Sequence, residues 1–509
     1  MVVSKGKKCH LHSRLSVLIL YVFLFPVSAC FAQFRAEQLF VSKKNPHLLV
    51  NADESPVFLN SFTVWMLLRN GSTDDVSELL SRLKDMKLNA ISMMVLDLNL
   101  DDIGKNYYGD YAFEFDENGL PDLSRPIVTP GSNFESPDEY DFWDHLDFVI
   151  REANDKGMYV VLHPAWGDWF SGSFNGKPNK YIVFNERNAY TYGHWIGERY
   201  GNMKNVIWML GGDRSAVYGQ YDYRSIYSAM AKGVTEGVKA VSVNHGGRVD
   251  DKGPLISYHP RKWAPNSSDW FHTENWLSFN SIQDTPYDQV ESVPKDYQLE
   301  PVKPTWLCEG RYEGAITDWG IRYQAWQTVL SGGFGHTYGS DAWKFPRDNW
   351  REYMELPGLG QMSHLYHAVR ELWTDRQFLN RMPDQSLVIG DWGTTVGDGN
   401  TGEDGDGGGV AASKVNGRSD RITAMRGNDG RWAMVYTAAG KDIHLDLKKL
   451  KGKLNAYWFN PATGGWWVDG VESKTMRPFQ KGIRAQKNDL VFDAPGKPGK
   501  GNDWVLILK

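Results

Sequence analysis

Asn205-Val-Ile-Trp-Met-Leu-Gly-Gly-Asp-Arg214 decides the fold. Val206 to Leu210 are apolar and have the length of a buried strand. Gly211 and Gly212 let the backbone turn sharply and leave room for a ligand. They deliver Asp213 at the strand's carboxyl end, where α/β barrels carry their chemistry. Thr305-Trp-Leu-Cys-Glu-Gly-Arg311 repeats the design with Glu309 at the tip.

Working outward, strand patterns recur at Val57 to Ser61, Ala90 to Leu96, Met158 to Leu162, Leu255 to Tyr258, Trp276 to Ile282 and Gly333 to Tyr338. Most are followed by a helix pattern. Ser72 or Thr73 caps a helix whose stripe is Val76, Leu79, Leu80, Leu83 and Met86. Ser136-Pro137-Asp138-Glu139 reads as a capping box that opens a second helix, ended by Gly157. Further helices are expected over Asn188 to Tyr200, Tyr223 to Val238 and Ile321 to Leu330, and a long polar loop over Leu98 to Gly131. About eight strands with intervening helices and polar groups at the strand ends give an α/β (β/α)₈ TIM barrel over residues 34–381. Asp213 then closes the fourth strand and Glu309 the seventh. Beyond Met382 helical periodicity stops and short strands alternate with Gly and Asn turns, so residues 382–509 are expected to form a small all-β sandwich.

The totals agree with two domains: 509 residues, 41% hydrophobic and 23% charged, describe a globular chain too long for one core. A net charge of −6 gives no footprint for nucleic acid. Aromatics at 13%, with 21 Trp, suit a protein that meets the flat faces of sugars, although most of these rings belong to the core. Residues 1–32 read as a signal peptide, with a basic start at Lys5, Lys7, Lys8 and Arg14 and an apolar run from Leu15 to Val27 too short to span a bilayer. Val27-Ser-Ala-Cys30 fits a lipoprotein box, which would leave a lipid anchor on Cys30. Cys30-Phe-Ala32 before Gln33 fits ordinary cleavage, favoured slightly because no long polar tether follows. Either route exports the chain to the periplasm, the cell surface or the medium. Cys308 is then the one remaining cysteine, so no intrachain disulfide framework exists. No other segment has the length and apolarity of a membrane span. The Gly397 to Gly409 run is rich in acidic oxygens but lacks the spacing of an EF-hand, and a plain loop is the better reading.

Two carboxylates across a barrel mouth suit glycosidic cleavage. One carboxylic acid protonates the leaving oxygen while a carboxylate attacks the anomeric carbon or activates water, with retention at about 5–5.5 Å separation and inversion at about 6.5–9.5 Å. Fourth and seventh strands face each other around a sugar, so retention is expected, with Glu309 as nucleophile and Asp213 as acid/base. Arg311 can keep Glu309 ionised; Arg214 opposes the raised pKa an acid needs if it points inward.

Trp166, Asn205 to Arg214, Tyr258-His-Pro260, Ser267-Ser268, Phe271-His272, Trp276, Phe279-Asn280, Ile282-Gln283, Glu309-Gly-Arg-Tyr-Glu313, Gly335-His-Thr-Tyr-Gly339 and Pro383-Asp-Gln-Ser386 resemble the apiosidase-like barrels of glycoside hydrolase family 140. Tyr457-Trp-Phe-Asn-Pro-Ala-Thr-Gly464 and Asp503-Trp504 resemble the collagen-binding-type β-sandwich that follows that barrel. The resemblance implies a retaining glycosidase with Asp213 as acid/base and Glu309 as nucleophile. One position departs: the family's first strand ends in a Gly-Asp-Thr-Ala-Trp type run, and this chain has Ser61-Phe-Thr-Val-Trp65, with Phe62 in place of the aspartate. An apolar ring there bears on which sugar is accepted more than on whether hydrolysis occurs.

The remaining candidates for substrate contact are His163, Arg214, His259, Gln283, Arg311, His336 and Tyr338 as hydrogen-bonding groups at strand ends, and Trp65, Trp166 and Trp343 as stacking rings. His163, His259 and His336 fall on the third, fifth and eighth strands and form no metalloprotease run, so neither metal nor cofactor is expected. A glycosidase on plant or algal polysaccharide or oligosaccharide is the leading reading. An inert carbohydrate-binding or matrix-binding protein on the same fold is the alternative.

Overall fold

Alternation along Leu59–Thr63 sets the wall of the barrel. The Asn60 side chain faces out, its Nδ2 donating to Lys87 O (3.1 Å) and Met362 O (3.3 Å). Ser61, one residue on, faces in and meets Ser92 Oγ at 3.1 Å. The computed structural model describes residues 1–2, 35–97, 104–133, 135–136, 138–171, 182–244, 253–261, 266–283, 289–394, 420–485 and 489–509. The leader (3–34) and the Gly397 to Gly409 run therefore lie outside the described residues. No helix among them is long and apolar enough to cross a membrane.

Eight parallel strands line the barrel: β1 (Leu59–Thr63), β2 (Ala90–Leu96), β3 (Tyr159–Ala165), β4 (Val206–Gly211), β5 (Ile256–His259), β6 (Asn280–Gln283), β7 (Thr305–Glu309) and β8 (Gly335–Tyr338). Ladders run from β5 through β4, β3, β2 and β1 to β8, β7 and β6. Serines close the remaining seam between β5 and β6: Ser278 N donates to Ile256 O (2.7 Å) and Ser257 Oγ to Phe279 O (2.6 Å). Strand β6 starts at Asn280 rather than Trp276, because Trp276 and Leu277 belong to the turn before it, where Leu277 N donates to Glu274 O.

Each strand is followed by a helix of the same number: α1 (Thr73–Asp85), α2 (Phe142–Asp155), α3 (Glu186–Tyr200), α4 (Arg224–Asn244), α5 (Ser267–Phe271), α6 (Gln289–Tyr297), α7 (Asp318–Leu330) and α8 (Pro357–Tyr366). Ser72 caps α1 in a reciprocal box with Asp75. The expected start of α2 is corrected: Asp141, boxed with Asp144, is the cap, and Ser136 only accepts a turn bond from Glu139 N. Both tetrads fit a capping pattern; the one directly followed by Phe142, Trp143 and Leu146, which are buried, starts the helix. The expected loop from Leu98 to Gly131 holds a short hairpin, Phe113–Phe115 with Pro121–Pro126. Beside β4, helices α3 and α4 touch backbone to backbone. A Cβ on Gly233 would lie 2.3 Å from Tyr190 O and one on Gly237 2.2 Å from His194 O, so only glycine fits there.

Helix α7 has no solvent face: Trp319 to Leu330 are all buried. What covers it is the C-terminal sheet, ordered β9 (Arg381–Pro383), β10 (Ile422–Gly427), β11 (Ala433–Thr437), then β18 (Trp504–Leu508), β13 (Lys453–Phe459), β14 (Trp466–Val468) and β15 (Val471–Ser473), all antiparallel. β16 (Gln480–Arg484) pairs with β13, and β12 (Ile443–Leu445) with β17 (Leu490–Phe492). Alternate residues serve two cores. Met434, Tyr436, Val505 and Ile507 join the barrel's core, while Ala433, Val435, Leu506 and Leu508 join the core within the C-terminal domain. Arg322 of α7 forms a two-pronged ion pair with Asp503 (2.9 and 2.8 Å), and both side chains are buried. Trp319 Nε1 donates to Ala438 O (3.0 Å), and the Trp326 and Tyr436 rings stack at 5.9 Å.

Candidate active site

The β4 tip is shaped by its backbone. Gly211, Gly212 and Asp213 have φ of 77°, 139° and 50°, three successive positive values. Glycine takes these freely; an aspartate in the left-handed region carries a strain of about 1–2 kcal/mol. A Cβ on Gly212 would lie 2.5 Å from the Trp166 ring, so the tip can close on that ring only with glycine. Gly212 N donates to His259 O (3.2 Å) and Tyr258 Oη to Arg214 O (2.7 Å), tying the tip to β5. Arg214 donates from Nη2 to Asp168 Oδ1 (2.6 Å) and from Nη1 to the Asp213 carbonyl (2.6 Å), with Asp213 Oδ2 farther off at 3.5 Å. Burial pushes the Asp168 carboxyl pKa up, and Arg214 pulls it back.

The β7 tip is shaped by side chains. A bulge shifts the register between β6 and β7: Ile282 opposes Leu307, but Gln283 opposes Glu309. The extra residue, Cys308, re-aims Glu309 from the outer wall toward the mouth. There Gln283 Nε2 donates to Glu309 Oε2 (2.9 Å), Tyr312 Oη donates a short hydrogen bond to Oε1, and His259 Nε2 lies 3.0 Å from Oε2. Trp65 Nε1 donates to Tyr312 Oη (2.7 Å), which orients the phenol. Burial and the Glu309 anion hold Tyr312 well above the ordinary phenol pKa, so it stays a donor.

Two neighbouring histidines, with ring centroids 5.3 Å apart, are driven to opposite charge. Burial opposes charge on His259, but the Cys308 sulfur and the Glu309 carboxylate outweigh it and raise its pKa to about 10. Burial, then the His259 charge, lower His163 well below its ordinary value. A cation thus faces the Glu309 carboxylate, and a neutral ring lies behind it.

Residues 43–375, more than half of the chain, match the family described as "Apiosidase-like, catalytic domain". The chain belongs to the apiosidase-like family. It therefore carries a glycoside-hydrolase-type catalytic domain. Residues 408–509 match "Putative collagen-binding domain of a collagenase". A glycoside hydrolase family 5 structure from Bacteroides vulgatus is similar at 25% identity and a TM-score of 0.67, over 92% of this chain and 93% of its own. A second structure, described only as a glycoside hydrolase, shares the fold at 24% identity and a TM-score of 0.67, over 93% of this chain and 96% of its own. Among curated proteins none matches at a significant level.

In this apiosidase-like barrel, Asp213, Arg214, His259, Gln283, Glu309 and Arg311 stand at the carboxyl ends of their strands. The Arg311 backbone is clamped by Gln324, which accepts from its N–H (2.9 Å) and donates to its carbonyl (3.0 Å). The Trp65 ring packs on Trp166 (5.0 Å), His163 (5.1 Å) and His259 (5.7 Å), an almost wholly buried floor rather than a set of open stacking faces. Trp343 is half-buried, with Lys344 Nζ 5.4 Å above its ring.

Three expectations are corrected. Phe62, His336 and Tyr338 are fully buried, and register pairs Phe62 with Tyr338 and His336 with Asn60, whose side chain faces out. All three therefore lie in the outer wall. The Phe62 ring stacks on Tyr338 at 5.8 Å and presents no surface to a sugar. His336 is likewise turned away from His163 and His259, and no group of three or more His, Cys, Asp or Glu among the described residues is arranged to hold a metal. Sequence reasoning missed Tyr312, Asp168 and the role of Glu313, which accepts from Tyr338 Oη (2.6 Å) and from Gly358 N at the start of α8 (2.9 Å). Tyr312 and Glu313 stand inside the Glu-Gly-Arg-Tyr-Glu run and Asp168 two residues after Trp166. Their neighbourhood was the available signal.

Proposed function

We propose that the chain is an exported, retaining glycoside hydrolase acting on plant or algal polysaccharide or oligosaccharide. Asp213, as the acid, gives its proton to the glycosidic oxygen while a Glu309 carboxylate oxygen attacks the anomeric carbon, so the C–O bond to the leaving group breaks as the glycosyl ester forms. Asp213, now a carboxylate, takes a proton from water; the water oxygen attacks the same carbon, the ester breaks, and Glu309 is restored. Tyr312, Gln283 and His259 keep Glu309 ionised and oriented. The observation that carries the reading is that a carboxylate, Glu309, is gripped from three sides at the β7 tip while a second, Asp213, stands at the same carboxyl end of the barrel on β4.

The test is a panel of aryl glycosides and pectic oligosaccharides, with Asp213→Asn and Glu309→Gln assayed beside the wild type. Hydrolysis by wild type alone, with the product's anomeric configuration retained by proton NMR at early times, is expected. Equal behaviour of all three proteins would leave the alternative of an inert carbohydrate-binding barrel. Inverted product would reassign Glu309 as a base.

A further inference from the structure

Arg214 sits beside the candidate acid, and an adjacent cation favours the carboxylate over the protonated form an acid catalyst needs. The geometry around its guanidinium answers that difficulty. Nη2 is 2.6 Å from Asp168 Oδ1 and Nη1 is 2.6 Å from the Asp213 main-chain carbonyl, whereas the Asp213 carboxylate is at 3.5 Å. Asp168 is buried, and its second oxygen, Oδ2, has no hydrogen-bond partner among the described residues. A buried carboxylate that spends its one strong contact on Arg214 adds little that a neutral side chain would not add to folding. It does cancel the one charge that touches Asp213.

We propose that Asp168 is a positioning residue that neutralises Arg214 and so lets Asp213 hold the proton delivered to the leaving group. The inference rests on Asp213 being the acid. Other groups act on the same carboxylate from the surrounding elements. Arg261, beyond the β5 end, feels the Asp213 charge and, at longer range, that of Tyr218 in the hairpin Val217–Asp222. Tyr258 of β5 holds the Arg214 carbonyl, Tyr227 of α4 lies near both Arg214 and Asp168, and His163 of β3 reaches the Gly211 carbonyl at 3.5 Å. None of these is changed by a substitution at 168.

The alkaline limb of the kcat/KM–pH profile reports the free enzyme's acid. It would be measured with the phenyl glycoside of the sugar identified by the panel, and the 2,4-dinitrophenyl glycoside, whose departure needs no proton, would serve as the control. Asp168→Asn is expected to move the limb about 1–2 pH units lower, since the Arg214 charge then acts on Asp213 uncancelled. Arg214→Gln is expected to move it higher, and the double variant to return it toward wild type. Dinitrophenyl glycoside cleavage by Asp168→Asn should stay near the wild-type rate. A uniform loss on both substrates with an unmoved limb would overturn the proposal, as would a limb that moves the same way in both single variants. If Asp168→Asn fails to fold, Arg214→Gln decides: a limb unmoved or lowered rejects the proposal. Asp213→Asn, run in parallel, separates the two readings: if it keeps the wild-type rate and profile, the acid assignment itself falls.

Discussion

At the β4 tip Asp213 is set by backbone: three successive positive φ angles, a glycine closed onto Trp166, and flanking helices in backbone contact through Gly233 and Gly237. At the β7 tip Glu309 is set by side chains: a bulge, three polar groups from β5, β6 and the following loop, and behind them α7, buried beneath a second domain. The contrast follows the two proposed tasks. A nucleophile has to stay ionised and aimed, which donors and a cation around it provide. An acid has to keep a proton, which hydrogen-bond donors would strip, so a rigid backbone is the better support.

The largest test of this contrast is loss of each carboxylate. Glu309→Gln is expected to lower kcat by about 10⁴-fold or more on every substrate, and Asp213→Asn by about 10²–10⁴-fold on poor leaving groups but far less on dinitrophenyl glycosides. Equal leaving-group dependence in the two variants would remove the asymmetry. Next is the ground under β7. Asp503→Ala leaves the buried Arg322 without its two-pronged partner and is expected to destabilise the protein by about 3–5 kcal/mol, read from denaturant midpoints. A loss below about 1 kcal/mol would mean that the C-terminal domain is not part of that support. Tyr312→Phe removes one hydrogen bond to a charged group, about 1.5–3 kcal/mol, and should cost about 10- to 100-fold in kcat with the fold intact.

The smallest effect separates the two histidines. His163, with its pKa lowered in the folded state, contributes stability that is present above the unfolded value of 6.5 and is lost as pH falls below it. His259, raised to about 10, contributes stability present below 6.5 and lost as pH rises toward 10. Unfolding free energies at several pH values should therefore slope by up to about 1.4 kcal/mol per unit at each edge. His163→Asn should flatten only the acid side and His259→Asn only the alkaline side. Flattening of the same side by both would refute their opposite charge states.

Much of the barrel was legible because it is written in local patterns. Runs such as Val206 to Leu210 announce buried strands, and glycines before Asp213 announce a tip. What depended on long-range register was harder to read. Phe62, His336 and Tyr338 end strands as Asp213 does, yet the pleat turns them outward, and only the pairing with Asn60 and its bond to Met362 reveals the parity. Glu309 has the parity of outward-facing Leu307 and reaches the mouth through a bulge that no residue type marks. Tyr312 and Asp168 act through chain that folds back after the strand, so spacing could flag their neighbourhood but not their partners. The capping box was misassigned because two similar tetrads stand five residues apart and only burial separates them.

The burial of α7 also fixes an order of events during synthesis. Arg322 meets Asp503 across 181 residues of chain. At about 5–20 residues per second, a nascent barrel would wait roughly 10–35 s with the face of α7 carrying Trp319 and Trp326 uncovered. The strand that carries Asp503 into β18 is thus a late keystone for the barrel, and a chain stopped before it would offer that aromatic face to chaperones or to its neighbours.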